Sequence, residues 1–93
     1  MEKSTFSPLY EVLRARLVAL REKADMTQRD LAQRLGRERS FVSRLEQGER
    51  RLDVLEFYWV LKALGQDAAK AAAEIMRAFS EAEASGTGRR RRR

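Results

Sequence analysis

Four side chains between positions 39 and 44 are the ones whose type and spacing could do chemistry: Arg39, Ser40, Ser43 and Arg44. With Gln47 they fall at i, i+1, i+4, i+5 and i+8, which gathers them on one face of a helix. Arginine can fork onto guanine O6 and N7, and a short serine lets a helix sit close to base edges. Such a row suits insertion into a DNA major groove. The same face could instead be ordinary solvated surface, so the elements that would hold it decide between the two readings.

The residues between those four are apolar. Val42 and Leu45 point inward on a helix running from about Arg39 to Gln47, which Gly48 ends. The helix before it is opened by Thr27, with Asp30 three residues on as a variant of the capping box. Leu31, Ala32 and Leu35 form its buried side, and Gly36 stands where a left-handed C-cap is needed. Upstream, Ser7-Pro8 pairs an N-cap with a proline at the first helical position. Leu13, Leu17, Leu20 and Ala24 then recur at spacings of four, three and four, the stripe of an amphipathic helix from Leu9 to about Ala24. Downstream, Asp53 caps a helix over Val54–Leu64 closed by Gly65, with Val54, Phe57, Tyr58, Leu61 and Leu64 as its apolar face. Leu55 and Trp59 fall outside that face and suggest a second contact surface. Asp67 caps an alanine-rich helix of about 17 residues, where Ala72, Ile75, Met76 and Phe79 make a narrow stripe and little else holds it to a core. The reading is an all-α chain of five helices: a frayed start over 1–7, a helix-turn-helix domain over 8–65, a C-terminal helix over 66–85 suited to dimerisation, and a flexible Gly/Arg tail over 86–93.

Composition removes whole classes of function. The 93 residues contain no Cys and no His, so there is no disulfide, no thiolate or imidazole metal site, and no general base near neutral pH. No cofactor is expected, Ser40, Ser43 and Ser80 have no base partner, and the chain is read as not an enzyme. No apolar run resembles a signal peptide or a membrane span, which places the protein in the cytoplasm, at the nucleoid. Of the net charge of +6, five charges are Arg89 to Arg93. Residues 28–51 hold seven arginines against four acids, whereas residues 52–85 hold three basic residues against six acids. Positive charge concentrated on the paired helices and the tail points to a polyanion partner. The arginine run could add phosphate contacts or be an appendage without a role of its own.

The run TQRDLAQRLGRERSFVSRLEQGERR, with VLEFYWVLKALG after it, resembles the phage repressor and Cro-type helix-turn-helix domain of the XRE family. The resemblance spans about Leu13 to Gly65. It implies a five-helix, lambda-repressor-like fold and a transcriptional regulator, in the first instance a repressor that binds a palindromic operator as a dimer. Where positions match, it implies base reading by Arg39, Ser40, Ser43 and Arg44, a phosphate anchor at Gln28, and an Arg21–Glu46 salt bridge between the first and third helices. The chain departs from the family pattern at Asp25, where Gly is usual, at Glu38, where Ser or Thr is usual, and at Gln47, where Asn is common.

Gln28, Arg37, Gln47, Arg50 and Arg51 lie at helix ends around the reading face and are the expected phosphate contacts. The alternative for any one of them is a surface residue chosen for solubility. Phe41 is read as core filler before thymine contact. Trp59, Ile75, Met76 and Phe79 are the expected dimer interface, and the alternative is that the last helix folds back on its own monomer. Double-stranded DNA and a second copy are the expected partners, with no membrane and no small-molecule ligand. An antitoxin that also captures a toxin through Leu55, Trp59 and the alanine-rich last helix, and a protein-interaction module without DNA binding, are the competing functions.

Overall fold

A computed structural model describes residues 7–86; residues 1–6 and 87–93, where the sequence predicts a frayed start and most of the arginine tail, lie outside the described residues. Five helices follow in order: α1 Pro8–Lys23, α2 Gln28–Leu35, α3 Arg39–Glu46, α4 Val54–Ala63 and α5 Ala68–Ala84. No strand occurs among the described residues.

Capping chemistry sets most boundaries. The Ser7 hydroxyl accepts the Tyr10 N–H at 3.1 Å with Pro8 behind it. Thr27 and Asp30 close a reciprocal capping box, each side chain bonded to the other's backbone N–H. The same box recurs with Asp53 and Glu56 at the start of α4. Each supplies acceptors for N–H groups that a helix cannot satisfy internally. Asp30 is held below the usual carboxylate range, chiefly by the Thr27 N–H and then by its hydroxyl.

Each of the four linkers carries a left-handed residue: Asp25, Gly36, Gly48 and Gly65. Gly36 takes φ 67° between α2 and α3, so that Arg37 N–H reaches back to the Ala32 carbonyl at 2.9 Å. Between α1 and α2 the same conformation falls on Asp25, at φ 60°, the only non-glycine residue with positive φ among those described. Asp is among the few L-residues that visit this region, at some steric cost.

The core is continuous across all five helices. Val42 and Leu45 from α3, Leu17 from α1, Leu31 and Ala32 from α2, and Val60, Leu61 and Leu64 around α4 are all buried. Two expectations need correction. On α4 the buried set is Val60, Leu61 and Leu64 with half-buried Phe57, whereas Val54 and Tyr58 are exposed. A helix this apolar all round offers more than one stripe, and periodicity alone cannot choose between them. On α5 the buried stripe is Ala68, Ala71, Ile75 and Ala78, and Met76 is 52% exposed. The alanines are the means of attachment. With no bulk on that face, α5 lies close along α1 and also touches α4, so the last helix is part of the monomer core. Ile75, one of the expected dimer contacts, is 3% exposed in that packing.

Candidate nucleic-acid interface

The outer side of α3 is built by its inner side. Phe41, Val42, Leu45 and Glu46 are buried, which turns Arg39, Ser40, Arg44 and Gln47 to solvent with Ser43 half-buried beside them. The structure therefore brings the base-reading candidates together on one exposed face. Neither Arg39 nor Arg44 has a carboxylate within ion-pair distance among the described residues. Weak local contacts steady the row: Gln47 Nε2 donates to Ser43 Oγ at 3.4 Å, and Ser40 Oγ to Glu38 Oε1 at 3.5 Å. Glu38 occupies the N-cap position of α3 but makes no side-chain capping bond there.

The orientation of α3 is fixed by a polar knot at its far end. Glu46 is buried, and Arg21 forks onto it, Nε to Oε2 at 2.6 Å and Nη2 to Oε1 at 3.0 Å. The third Arg21 nitrogen, Nη1, donates to the Met26 carbonyl at 2.7 Å. Bonding to Glu46 raises the Arg21 pKa further above its ordinary value. Gln28 Nε2 adds a third donor to Glu46 at 2.8 Å, while Gln28 Oε1 accepts from Arg39 at 3.4 Å. Gln28 thus stands between the buried carboxylate and Arg39, a role the sequence did not suggest for an expected phosphate anchor. Arg14 of α1 donates from Nη1 to the Glu46 carbonyl at 2.6 Å. It ties the C-terminal end of α3 to α1.

A second knot surrounds Phe41, which is core filler as expected, 7% exposed. The guanidinium of Arg37 lies 4.0 Å from its ring centroid and that of Arg50 4.6 Å. Arg50, one of the expected phosphate contacts, forks onto Glu56, Nη1 to Oε1 at 3.0 Å and Nη2 to Oε2 at 2.9 Å. Glu56 is held down to about 2, by hydrogen bonding to Arg50 first and to the Asp53 N–H second. The Tyr10 hydroxyl donates to the Arg50 carbonyl, and Arg51 lies over the Tyr10 ring at 5.2 Å. Arg37 and Arg51 remain exposed at the rim. Glu56 was absent from the sequence reading, although D-x-x-E before an apolar run is a capping-box signature. Its pairing with Arg50 spans a turn and follows no periodicity.

Away from α3, the candidate dimer residues separate. Trp59 and Met76 are exposed, Phe79 is half-buried and Ile75 is core. Trp59 belongs to a larger exposed apolar face on α4 with Val54, Leu55 and Tyr58, its ring edge-on to Tyr58 at 5.0 Å. Among the described residues no cluster of His, Cys, Asp or Glu could hold a metal ion, and no helix is long and apolar enough to cross a membrane.

Residues 12–84 match the model of a helix-turn-helix domain family. In solved structures, the chain is similar to an XRE-family like protein from Pseudomonas syringae pv. tomato str. DC3000, 40% identical, with a TM-score of 0.71 over 75% of this chain and 85% of that one. It is also similar to the clp gene regulator ClgR from Corynebacterium glutamicum, 27% identical, with a TM-score of 0.68 over 84% of this chain and 83% of that one. A mutant of the restriction-modification controller protein C.Esp1396I shares the fold at 23% identity, TM-score 0.67, over 85% of this chain and 95% of that one. No curated protein matches.

Proposed function

Because the chain belongs to the XRE-type helix-turn-helix family of DNA-binding transcription regulators, we propose that it represses transcription by laying α3 in the major groove of a palindromic operator, as a dimer, in the cytoplasm. The observation that carries this reading is the exposed row Arg39, Ser40, Ser43 and Arg44 on a helix whose opposite side is buried and whose far end is locked through Glu46. Arg39 and Arg44 read guanines, each good fork discriminating by about 1–3 kcal/mol. Gln47 and Arg51 at the rim supply phosphate contacts, which fix register without reading sequence. Two of the structural relatives are named as a gene regulator and a controller protein, and regulation by occupying DNA follows the same line.

A single short helix reads too few base pairs for useful specificity, and two-fold pairing sets two reading helices about 34 Å apart. The exposed α4 face of Val54, Leu55, Tyr58 and Trp59 is the surface we assign to that pairing, with Met76 as a further candidate. Capture of a toxin is the competing use of Leu55 and Trp59; a small protein that co-purifies in fixed ratio and displaces the dimer would select it.

The test is selection of bound sequences from a random duplex pool, followed by titration of Arg44→Ala on the selected site. An inverted repeat should emerge, and Arg44→Ala should lose preference at one position of each half-site. Enrichment of no sequence would reject the reading.

A further inference from the structure

The contacts around Phe41 carry one more step, which rests on the DNA-reading assignment above. Arg37 and Arg50 both place their guanidinium groups against the face of one aromatic ring on the reading helix. A ring attracts each cation, but two cations on one ring repel unless a counter-ion serves both. Glu56 is that counter-ion, 2.9 Å from Arg50 and 3.8 Å from Arg37. It does not move freely, because its Oε1 also accepts the Asp53 N–H in the α4 capping box. A hollow of about 370 Å³ opens beside the reading face, lined by Arg37, Arg44, Arg50, Ser40, Phe41 and Glu38. Glu56 lines the neighbouring hollow, which shares Arg37 and Phe41 with the first.

We propose that Glu56 is a specificity-determining positioning residue: by keeping Arg37 and Arg50 as its own counter-ions, it withholds cations from DNA phosphates beside α3, so that base reading by Arg39 and Arg44 governs which DNA is held. Phosphate contact raises affinity for every sequence alike, whereas base contact separates operator from bulk DNA. An arginine-rich hollow next to the groove would favour the first kind. A carboxylate fixed behind it restores the balance toward the second.

The experiment compares wild type with Glu56→Gln on the selected operator and on random duplex of equal length, titrated from 50 to 200 mM salt. Glutamine keeps the size and can still accept the Asp53 N–H, but carries no charge. Each cation released onto a phosphate steepens the log–log salt slope by about 0.9. Glu56→Gln should therefore bind random DNA more tightly at low salt, lower the operator-to-random ratio, and lose an extra ~3- to 12-fold in affinity across that salt range for one or two released cations. Adding Arg37→Gln should take back about 0.9 of the gained slope. Arg50→Met in the otherwise wild-type chain gives an independent reading should Glu56→Gln fail to fold: its slope should stay unchanged, because Arg50 is already neutralised. The proposal is overturned if Glu56→Gln weakens both DNAs by one factor at constant slope, if it changes neither, or if Arg50→Met flattens the slope by about 0.9, the mark of a phosphate contact. Wild type that fails to distinguish the operator from random DNA would overturn the underlying reading instead, before any variant is compared.

Discussion

Removing one member of the Arg21–Glu46 pair should destabilise the protein more than removing both. The Glu46 side chain is 8% exposed and that of Arg21 13%. In Arg21→Met the carboxylate loses two of its three side-chain donors and keeps only Gln28 Nε2 at 2.8 Å. A buried charge left with one neutral donor costs about 3–5 kcal/mol. In Glu46→Leu the guanidinium keeps the Met26 carbonyl at 2.7 Å and some access to water, so the loss should sit at the lower end of that range. Arg21→Met with Glu46→Leu replaces two desolvated charges by apolar side chains on packed helices, and should cost less than either single change. For a domain of this size 3 kcal/mol lowers Tm by roughly 12–24 °C, against a total stability of about 5–15 kcal/mol. Thermal and urea melts followed by circular dichroism at 222 nm give all four corners of the cycle at pH 7. Single losses that simply add in the double variant would refute the reasoning, because additivity means the two groups do not feel each other.

Other expectations follow from single contacts. Asp25→Gly relieves an L-residue at φ 60° and should raise stability by about 0.5–1 kcal/mol, seen as a Tm increase of a few degrees. Ile75→Ala removes a 3% exposed side chain between α5 and the core; a loss of about 2–5 kcal/mol in urea melts is expected, and a loss below 1 kcal/mol would mean that α5 is not held as described. Glu56 titrates near 2 in the folded protein against 4.5 for the free side chain. A depressed carboxyl stabilises above its unfolded value and loses that contribution as pH falls through its folded one. The stability gap between wild type and Glu56→Gln should therefore be full at pH 6 and shrink between about pH 4.5 and 2, which melts across that range would record. Leu55→Glu with Trp59→Glu, both on exposed positions of α4, should leave the monomer folded but move the sedimentation profile from dimer to monomer at micromolar concentration.

Much of this arrangement was legible in the sequence where one residue type has one physical job. Ser7-Pro8, Thr27 with Asp30, Gly36 and Asp53 mark helix ends because few other residues satisfy free N–H groups or accept a left-handed backbone, and each stands at its helix end in the structure. The exposed face of α3 was legible because Val42 and Leu45 leave the helix only one way to turn. What periodicity could not supply was a choice among equivalent apolar faces on α4, or the fact that alanine on α5 is a device for close packing on α1 and not an absence of contacts. Long side chains were the least readable. Arg14, Gln28, Arg50 and Glu56 each reach partners on another element or across a turn, and nothing in local spacing reports where a flexible arginine ends.

The most direct test of the central claim is methylation interference on the selected operator. Guanine N7 lies in the major groove and is the atom that an arginine fork must reach. If α3 reads DNA through Arg39 and Arg44, methylated guanines should block wild-type binding at positions centred about one helical turn apart, and Arg44→Ala should abolish interference at one guanine of each half-site. Interference that is identical for wild type and for the double variant Arg39→Ala, Arg44→Ala, or that is absent from the major groove altogether, would contradict it.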